Sequence, residues 1–159
     1  HQKVVWIGSG KLGLPETALF AFCLGADMIN VGREAMLAIG CIQAQRCHTD
    51  HCPTGVASQN KWLVRGLDPT DKSARLANYV ITLRKELQRL SHACGVHHPG
   101  FLSADHMEIL DGAFGSRPLG EVFGYEPGWE IPSDQDATLV RAVMGGAGDL
   151  GEPGEYAEP

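Results

Sequence analysis

Two short apolar runs, each closed by glycine, set the pattern of the first forty residues. Val4-Val5-Trp6-Ile7 leads into Gly8-Ser9-Gly10, and Asp27-Met28-Ile29-Asn30-Val31 leads into Gly32-Arg33. Runs of this length without alternation predict buried strands of a parallel sheet, over 3–8 and 27–31. Between them Pro15 suits a first helical residue, with Glu16 favourable in the first turn, and Thr17 to Leu24 continues the helix until Gly25. A second helix is predicted over 34–39, stopped by Gly40. Residues 3–40 therefore read β-α-β-α with short connections, an α/β arrangement.

The pattern then breaks. Residues 41–60 have no hydrophobic period and hold cysteine, histidine, proline and glycine, the composition of a long functional loop. Asp68-Pro69 signals the strongest helix, with Asp68 as N-cap, Pro69 as first residue and Asp71 at the positive end. Leu76, Val80, Leu83, Leu87, Leu90 and Cys94 recur at a 4-3 spacing and form one stripe. Gly95 closes it. Ser103 is positioned to cap a shorter helix over 104–110. From 116 onward prolines and scattered aromatics predict an irregular wrapping segment, with one or two helical turns over 134–143. From Gly145 on, glycine, proline and glutamate predict a flexible acidic tail. Three stretches follow: 1–60, containing the cysteine loop 41–60; a helical extension over 61–115; and 116–159.

Composition narrows the function. The chain has 159 residues, 43% of them hydrophobic and 20% charged, with a formal net charge of −6. That is globular, and its acidity argues against a general nucleic-acid surface. No apolar run reaches the roughly 20 residues that span a bilayer, so no membrane partner is expected. The absence of an initial Met, with a strand beginning almost at once, leads us to expect a piece of a longer protein. Five cysteines, three of them between 41 and 52, do not fit a secreted disulfide scaffold. In a cytoplasmic setting such crowding points to metal or redox chemistry. Cys23 and Cys94 fall on apolar helix faces and read as core residues. His92, His97 and His98 cluster at a helix end, where they cap carbonyls or meet solvent.

Each predicted strand ends in a glycine turn before a helix. Ser9-Gly10-Lys11 and Gly32-Arg33 would lie side by side if the strands pair, and free N–H groups at helix starts favour an anion. Lys11 and Arg33 could add charge. Two such turns after consecutive parallel strands match the phosphate cradle of a β/α barrel. Glycine also follows strands in α/β proteins that bind no phosphate. Gly8, Gly10 and Gly13 match a dinucleotide fingerprint, but the acid expected about 20 residues on is misplaced, since Asp27 stands at the start of its strand and not at its end.

The run from Cys41 to Pro53 has the spacing Cys-x5-Cys-x4-Cys-Pro. Thiolates ligate iron–sulfur clusters, and a proline after the last cysteine is common in such loops. Three thiolates suit a three-iron cluster, or a four-iron one with another ligand. Zinc held by Cys41, Cys47 and Cys52 with His48 or His51 is the competing assignment, disfavoured by the lack of a tight Cys-x2-Cys knuckle. Three unliganded buried thiols are the remaining alternative.

Ser-Gly-Lys-Leu-Gly (9–13), Leu-Gly-Ala-Asp (24–27), Val-Gly-Arg (31–33) and the stretch from Ala38 through Cys41, Cys47, Cys52-Pro53 to Gln59 together resemble the end of the FMN-binding domain of glutamate synthase. The resemblance extends into the helix near 72–94 and covers about two-thirds of the chain. Ser9-Gly10-Lys11 stands where many relatives have Asp-Gly-Gly, as in the shorter, archaeal-type branch. The resemblance implies the last two β/α units of a TIM-type (β/α)8 barrel, followed by the cysteine loop and helices, as a partial domain. It further implies FMN, its phosphate held by Ser9, Gly10, Lys11, Gly32 and Arg33, and a [3Fe-4S] cluster on Cys41, Cys47 and Cys52. The activity implied is glutamate formation from 2-oxoglutarate and ammonia derived from glutamine. The partners implied are an electron donor (an NAD(P)H-linked subunit or ferredoxin), the rest of the barrel and a glutaminase domain or subunit. Catalytic residues would lie upstream. Another flavin oxidoreductase of the same barrel superfamily, or a zinc-binding module without catalysis, would share parts of this pattern.

Overall fold

The computed structural model describes residues 4–147 apart from 113 and 130. Lys3, at the start of the first expected strand, and the expected acidic tail from 148 lie outside the described residues.

The first unit has the predicted order. Strand β1 (Ile7–Ser9) is followed by helix α1 (Pro15–Cys23), strand β2 (Met28–Asn30) and helix α2 (Arg33–Ala38). β1 and β2 pair in parallel, Ile7 opposite Met28 and Ser9 opposite Asn30. Both strands are shorter than their apolar runs, and they are not buried: Trp6 is 59% exposed, Ile7 60% and Met28 55%. The physical reason is that this sheet has only two strands, and α1 and α2 do not cover the outer side chains. At its entry Trp6 N–H donates to Asp27 Oδ2 at 2.7 Å.

Beyond the cysteine loop, a single helical turn, α3 (Lys61–Val64), precedes the long helix α4 (Pro69–Ala93). Asp68 caps α4 as its sequence predicts, accepting from Thr70 N–H at 2.9 Å. α4 packs against α1 and α2. Its predicted stripe is only partly used. Leu87 is buried and Leu83, Leu90 and Cys94 pack on the core, but Val80 stays 44% exposed. Tyr79 is the inward anchor at that level, its hydroxyl donating to Gly13 C=O at 2.7 Å.

The segment after α4 departs most from expectation. The helix predicted over 104–110 is a single 3-10 turn, Ala104–His106. His106 turns its Nδ1 back onto Ser103, accepting from the Ser103 N–H at 3.0 Å, and the chain leaves as an extended strand. That strand, β3 (Glu108–Leu110), pairs antiparallel with β4 (Ser116–Pro118). Asp111 closes the hairpin, its N–H donating to Gly115 C=O and its Oδ1 accepting from Gly115 N–H, both at 2.9 Å. Helix α5 (Leu119–Phe123) follows at once, and α6 (Asp134–Ala147) is longer than the one or two turns expected. Among the described residues from 116 on, β4, α5 and α6 are thus regular elements, and the irregular stretch is confined to the connection between α5 and α6.

The core joins both halves. Ala18, Leu19 and Cys23 of α1 meet Leu87 of α4, Leu102, Ala104 and Leu119. Leu119 is fully buried, and Tyr125 donates its hydroxyl to Leu24 C=O at 2.9 Å, stitching the later segment to the end of α1. Among the described residues, no helix is long and apolar enough to cross a membrane.

These contacts make stability the measure of the later segment's role. Leu119→Ala should cost about 2–5 kcal/mol, by lost burial and cavity formation. Tyr125→Phe should cost about 1 kcal/mol through the lost hydrogen bond. Urea unfolding followed by circular dichroism reads both; a negligible effect of Leu119→Ala would show that this segment is not part of the common core.

Candidate functional site

The parallel register brings the two glycine turns together, because Ser9 and Asn30 are paired immediately before them. Ser9, Gly10, Lys11, Gly32 and Arg33 are all exposed. Gly10 has φ +110° and Lys11 φ +58°, so the chain doubles back in left-handed conformations. A Cβ at Gly10 or Gly32 would meet nothing within 4 Å, leaving the backbone of both turns open to a ligand. Gly32 is the N-cap of α2 and Arg33 its first residue, so the helix begins one residue earlier than the expected start at Glu34.

The first turn does not run straight into its helix. Leu12, Gly13 and Leu14 intervene, and Leu14 is the N-cap of α1. Thr17 Oγ1 reaches back to the Lys11 carbonyl at 2.8 Å and fixes the turn's exit. Gly13 is where the two β/α units touch: a Cβ there would lie 2.4 Å from Glu34 Cγ. Thr17, Gly13 and Tyr79 therefore position the site although sequence reasoning assigned them no such role. The glycine itself was the available signal, but the long-range contact that requires it is invisible in the sequence.

The cysteine loop has two parts of different character. From Cys41 to His51 the chain is mostly exposed, with left-handed Gln43, Gln45 and Asp50 around one 3-10 turn, Cys47–Thr49. From Cys52 to Ser58 it is buried or half-buried except at Pro53. Asp50 clamps this second part: its Oδ1 accepts from Ser58 Oγ at 2.8 Å and from Gln59 N–H at 2.6 Å. The Gln59 N–H and then the Ser58 hydroxyl hold the Asp50 carboxyl below its ordinary pKa. Gly55 seals the turn. It has φ +75°, and a Cβ there would sit 2.4 Å from the Leu63 carbonyl oxygen.

The three predicted ligands have different surroundings. Cys52 is buried, with its Sγ 3.4 Å from Thr54 Oγ1. Hydrogen bonding by the Thr54 hydroxyl, and then by the N–H groups of Ala57 and Thr54, lowers its thiol pKa from 9.0 to about 7. Cys41 is half-buried and accepts from Gln43 N–H at 3.4 Å; Cys47 is exposed. All five cysteines are free thiols. Among the described residues no three histidine, cysteine, aspartate or glutamate side chains converge closely enough to hold a metal ion. Cys41 and Cys52 nevertheless receive hydrogen bonds at sulfur, and Cys52 favours its anion, the form in which a thiol ligates metals. By contrast, Cys23, in the core, is pushed up to about 11 by burial and by neighbouring Cys94, as befits an inert packing thiol.

Comparison with known proteins defines the class. Residues 1–97, more than half of the chain, match the conserved region in glutamate synthase, and the chain belongs to that family. It is 42% identical over 99 residues to the glutamate synthase large subunit-like protein YerD of Bacillus subtilis, covering 62% of this chain and 19% of that protein. It is 36% identical over 97 residues to the archaeal glutamate synthase [NADPH] of Methanocaldococcus jannaschii, covering 61% and 19%. A ferredoxin-dependent glutamate synthase of Cyanidium caldarium is 37% identical over 88 residues, covering 55% of this chain and 6% of that protein. The chain thus spans a fifth or less of the length of these relatives.

The Cys52 geometry gives a pH prediction for the metal-free chain. Its folded pKa lies below the unfolded value, so its contribution to stability is fully present above pH 9, declines as pH falls, and is lost below about 7. The stability difference between the parent and Cys52→Ala should therefore grow as pH rises from 7 to 9. Thiolate absorbance near 240 nm, taken as parent minus Cys52→Ala, should titrate near 7; a midpoint near 9 would contradict the hydrogen-bonded sulfur. Gly55→Ala should raise that midpoint by opening the turn.

Proposed function

We propose that this chain is part of a glutamate synthase large subunit, supplying one side of its FMN site and the cysteine loop of a [3Fe-4S] cluster. The observation that carries the reading is the sequence of features inside the family-matched region. Two open strand-end turns lie side by side on a parallel pair, and a loop with three free thiols follows directly. Uncovered Trp6, Ile7 and Met28 support placing β1 and β2 as adjacent strands of a TIM-type (β/α)8 barrel, because parallel sheets are normally covered on both faces.

The residues would then divide the work. The Gly10 and Gly32 backbones admit the flavin phosphate, the Ser9 hydroxyl can donate to it, and Lys11 and Arg33 offset its charge. Cys41, Cys47 and Cys52 would hold the cluster, with Cys52 already favouring the required thiolate. Drawing in Cys41 and Cys47 is work that binding itself would do, through the exposed first half of the loop. When bound, FMN supplies hydride chemistry and the cluster one-electron transfer. The substrates are 2-oxoglutarate and glutamine or ammonia, and the electron donor is an NAD(P)H-linked subunit or ferredoxin. The remaining barrel and a glutaminase domain or subunit complete the enzyme.

The test is made on the intact gene product, purified without oxygen. Bound FMN and iron and sulfide near three to four are expected, with glutamate formed from 2-oxoglutarate on supplying NADPH or reduced ferredoxin. Cys47→Ser should remove the cluster, read as lost iron and sulfide, and lower activity by more than the roughly 10–100-fold that losing an outer-shell partner costs. Lys11→Ala with Arg33→Ala should weaken FMN retention. Stoichiometric zinc without flavin, or turnover confined to a different keto acid, would overturn the assignment.

A further inference from the structure

A cavity of about 660 Å3 opens between the carboxyl end of α4, the segment after it and α6, remote in sequence from the strand-end turns and the cysteine loop. His92, His97 and Arg141 supply its charged and titratable groups, and Val96, Phe101 and Met144 its apolar surface. No aspartate or glutamate lines it among the described residues. A concavity whose ionisable groups are all basic is conspicuous in a chain of net charge −6.

The basic groups are not occupied with the helix end. Three terminal carbonyls of α4 are already satisfied by backbone: Leu90 C=O accepts from Cys94 N–H, Ser91 C=O from Val96 N–H and His92 C=O from Gly95 N–H. The neighbouring His98 differs, its Nδ1 accepting from Gly100 N–H. His92 and His97 instead meet edge to face, with ring centroids 6.0 Å apart. The Arg141 guanidinium lies over the Phe101 ring, 5.3 Å from its centroid. Stacking of this kind restrains the planar fork while leaving its N–H edge free for a carboxylate or phosphate. Each imidazole offers at least one N–H donor in either tautomer.

We propose that this cavity binds a small organic acid, its oxyanion held by Arg141, His92 and His97 and its apolar body resting on Phe101, Val96 and Met144. Because Arg141 lies beyond residue 97, the site draws on chain outside the family-matched region. It stands independently of the flavin and cluster assignments.

The experiment follows histidine ring resonances of the full 159-residue chain at fixed pH during separate titrations with phenyl phosphate, phenylacetate and inorganic phosphate. Saturable shifts of His92 and His97, with His48, His51 and His106 unmoved, are expected for the aromatic acids, with weaker binding of inorganic phosphate. Comparing phenyl phosphate with phenylacetate tells whether a phosphate or a carboxylate is preferred. Arg141→Gln should weaken binding about tenfold, the loss expected for a charged hydrogen bond, and Arg141→Lys should fall between. Arg141 is exposed to solvent, and circular dichroism checks that both variants fold. Non-saturating shifts, equal shifts at all histidines, or unchanged affinity in Arg141→Gln would overturn the proposal.

Discussion

The seam between α1 and α4 is the contact on which the other elements are arranged. Ala18 and Cys23 are completely buried, and their small side chains bring α1 close to the face of α4 that carries Leu87 and Ser91. Ser91 avoids leaving a buried hydroxyl unsatisfied by donating to Leu87 C=O at 2.8 Å. Apolar burial supplies the attraction, and the small residues set the spacing. Larger side chains at Ala18 or Cys23 would lift α1 away and carry β1 and its turn with it.

The turns and the loop inherit their positions from this seam. α1 fixes where β1 ends; Tyr79 of α4 holds Gly13, and Gly13 holds the start of α2 through its close approach to Glu34. The two candidate phosphate turns are therefore tied to the long helix through Gly13, which Tyr79 contacts directly and which packs against Glu34 at the start of α2. The cysteine loop is anchored differently. Its second half is tied together by Asp50 with Ser58 and Gln59 and packs through Gly55 onto Leu63 of α3, while its exposed half carries Cys41 and Cys47. Such a division suits a loop in which one thiolate is prepared and two remain free to approach, which is how the proposed cluster assignment uses it.

Helix boundaries were largely legible because they depend on local chemistry. Asp68-Pro69 announces α4, and Gly25, Gly40 and Gly95 follow the helices they were expected to stop. The candidate ligands and phosphate contacts were legible for another reason: cysteine spacing and glycine after an apolar run are compact signals. Less legible was the stretch after 103. Ser103 does cap a turn, but His106 folds back onto it, and the long-range pairing of β3 with β4 then outweighs local helical preference.

The sequence alone determined where chain direction changes and which residue types gather along it, since capping, glycine turns and cysteine crowding act over a few residues. Only the tertiary structure decided which features meet. It places Leu119 beside α1, sets Arg141 opposite His92, and gives Cys52 a ring of donors that Cys47 lacks. These outcomes depend on packing between distant segments, whose free energy is not encoded in any single stretch.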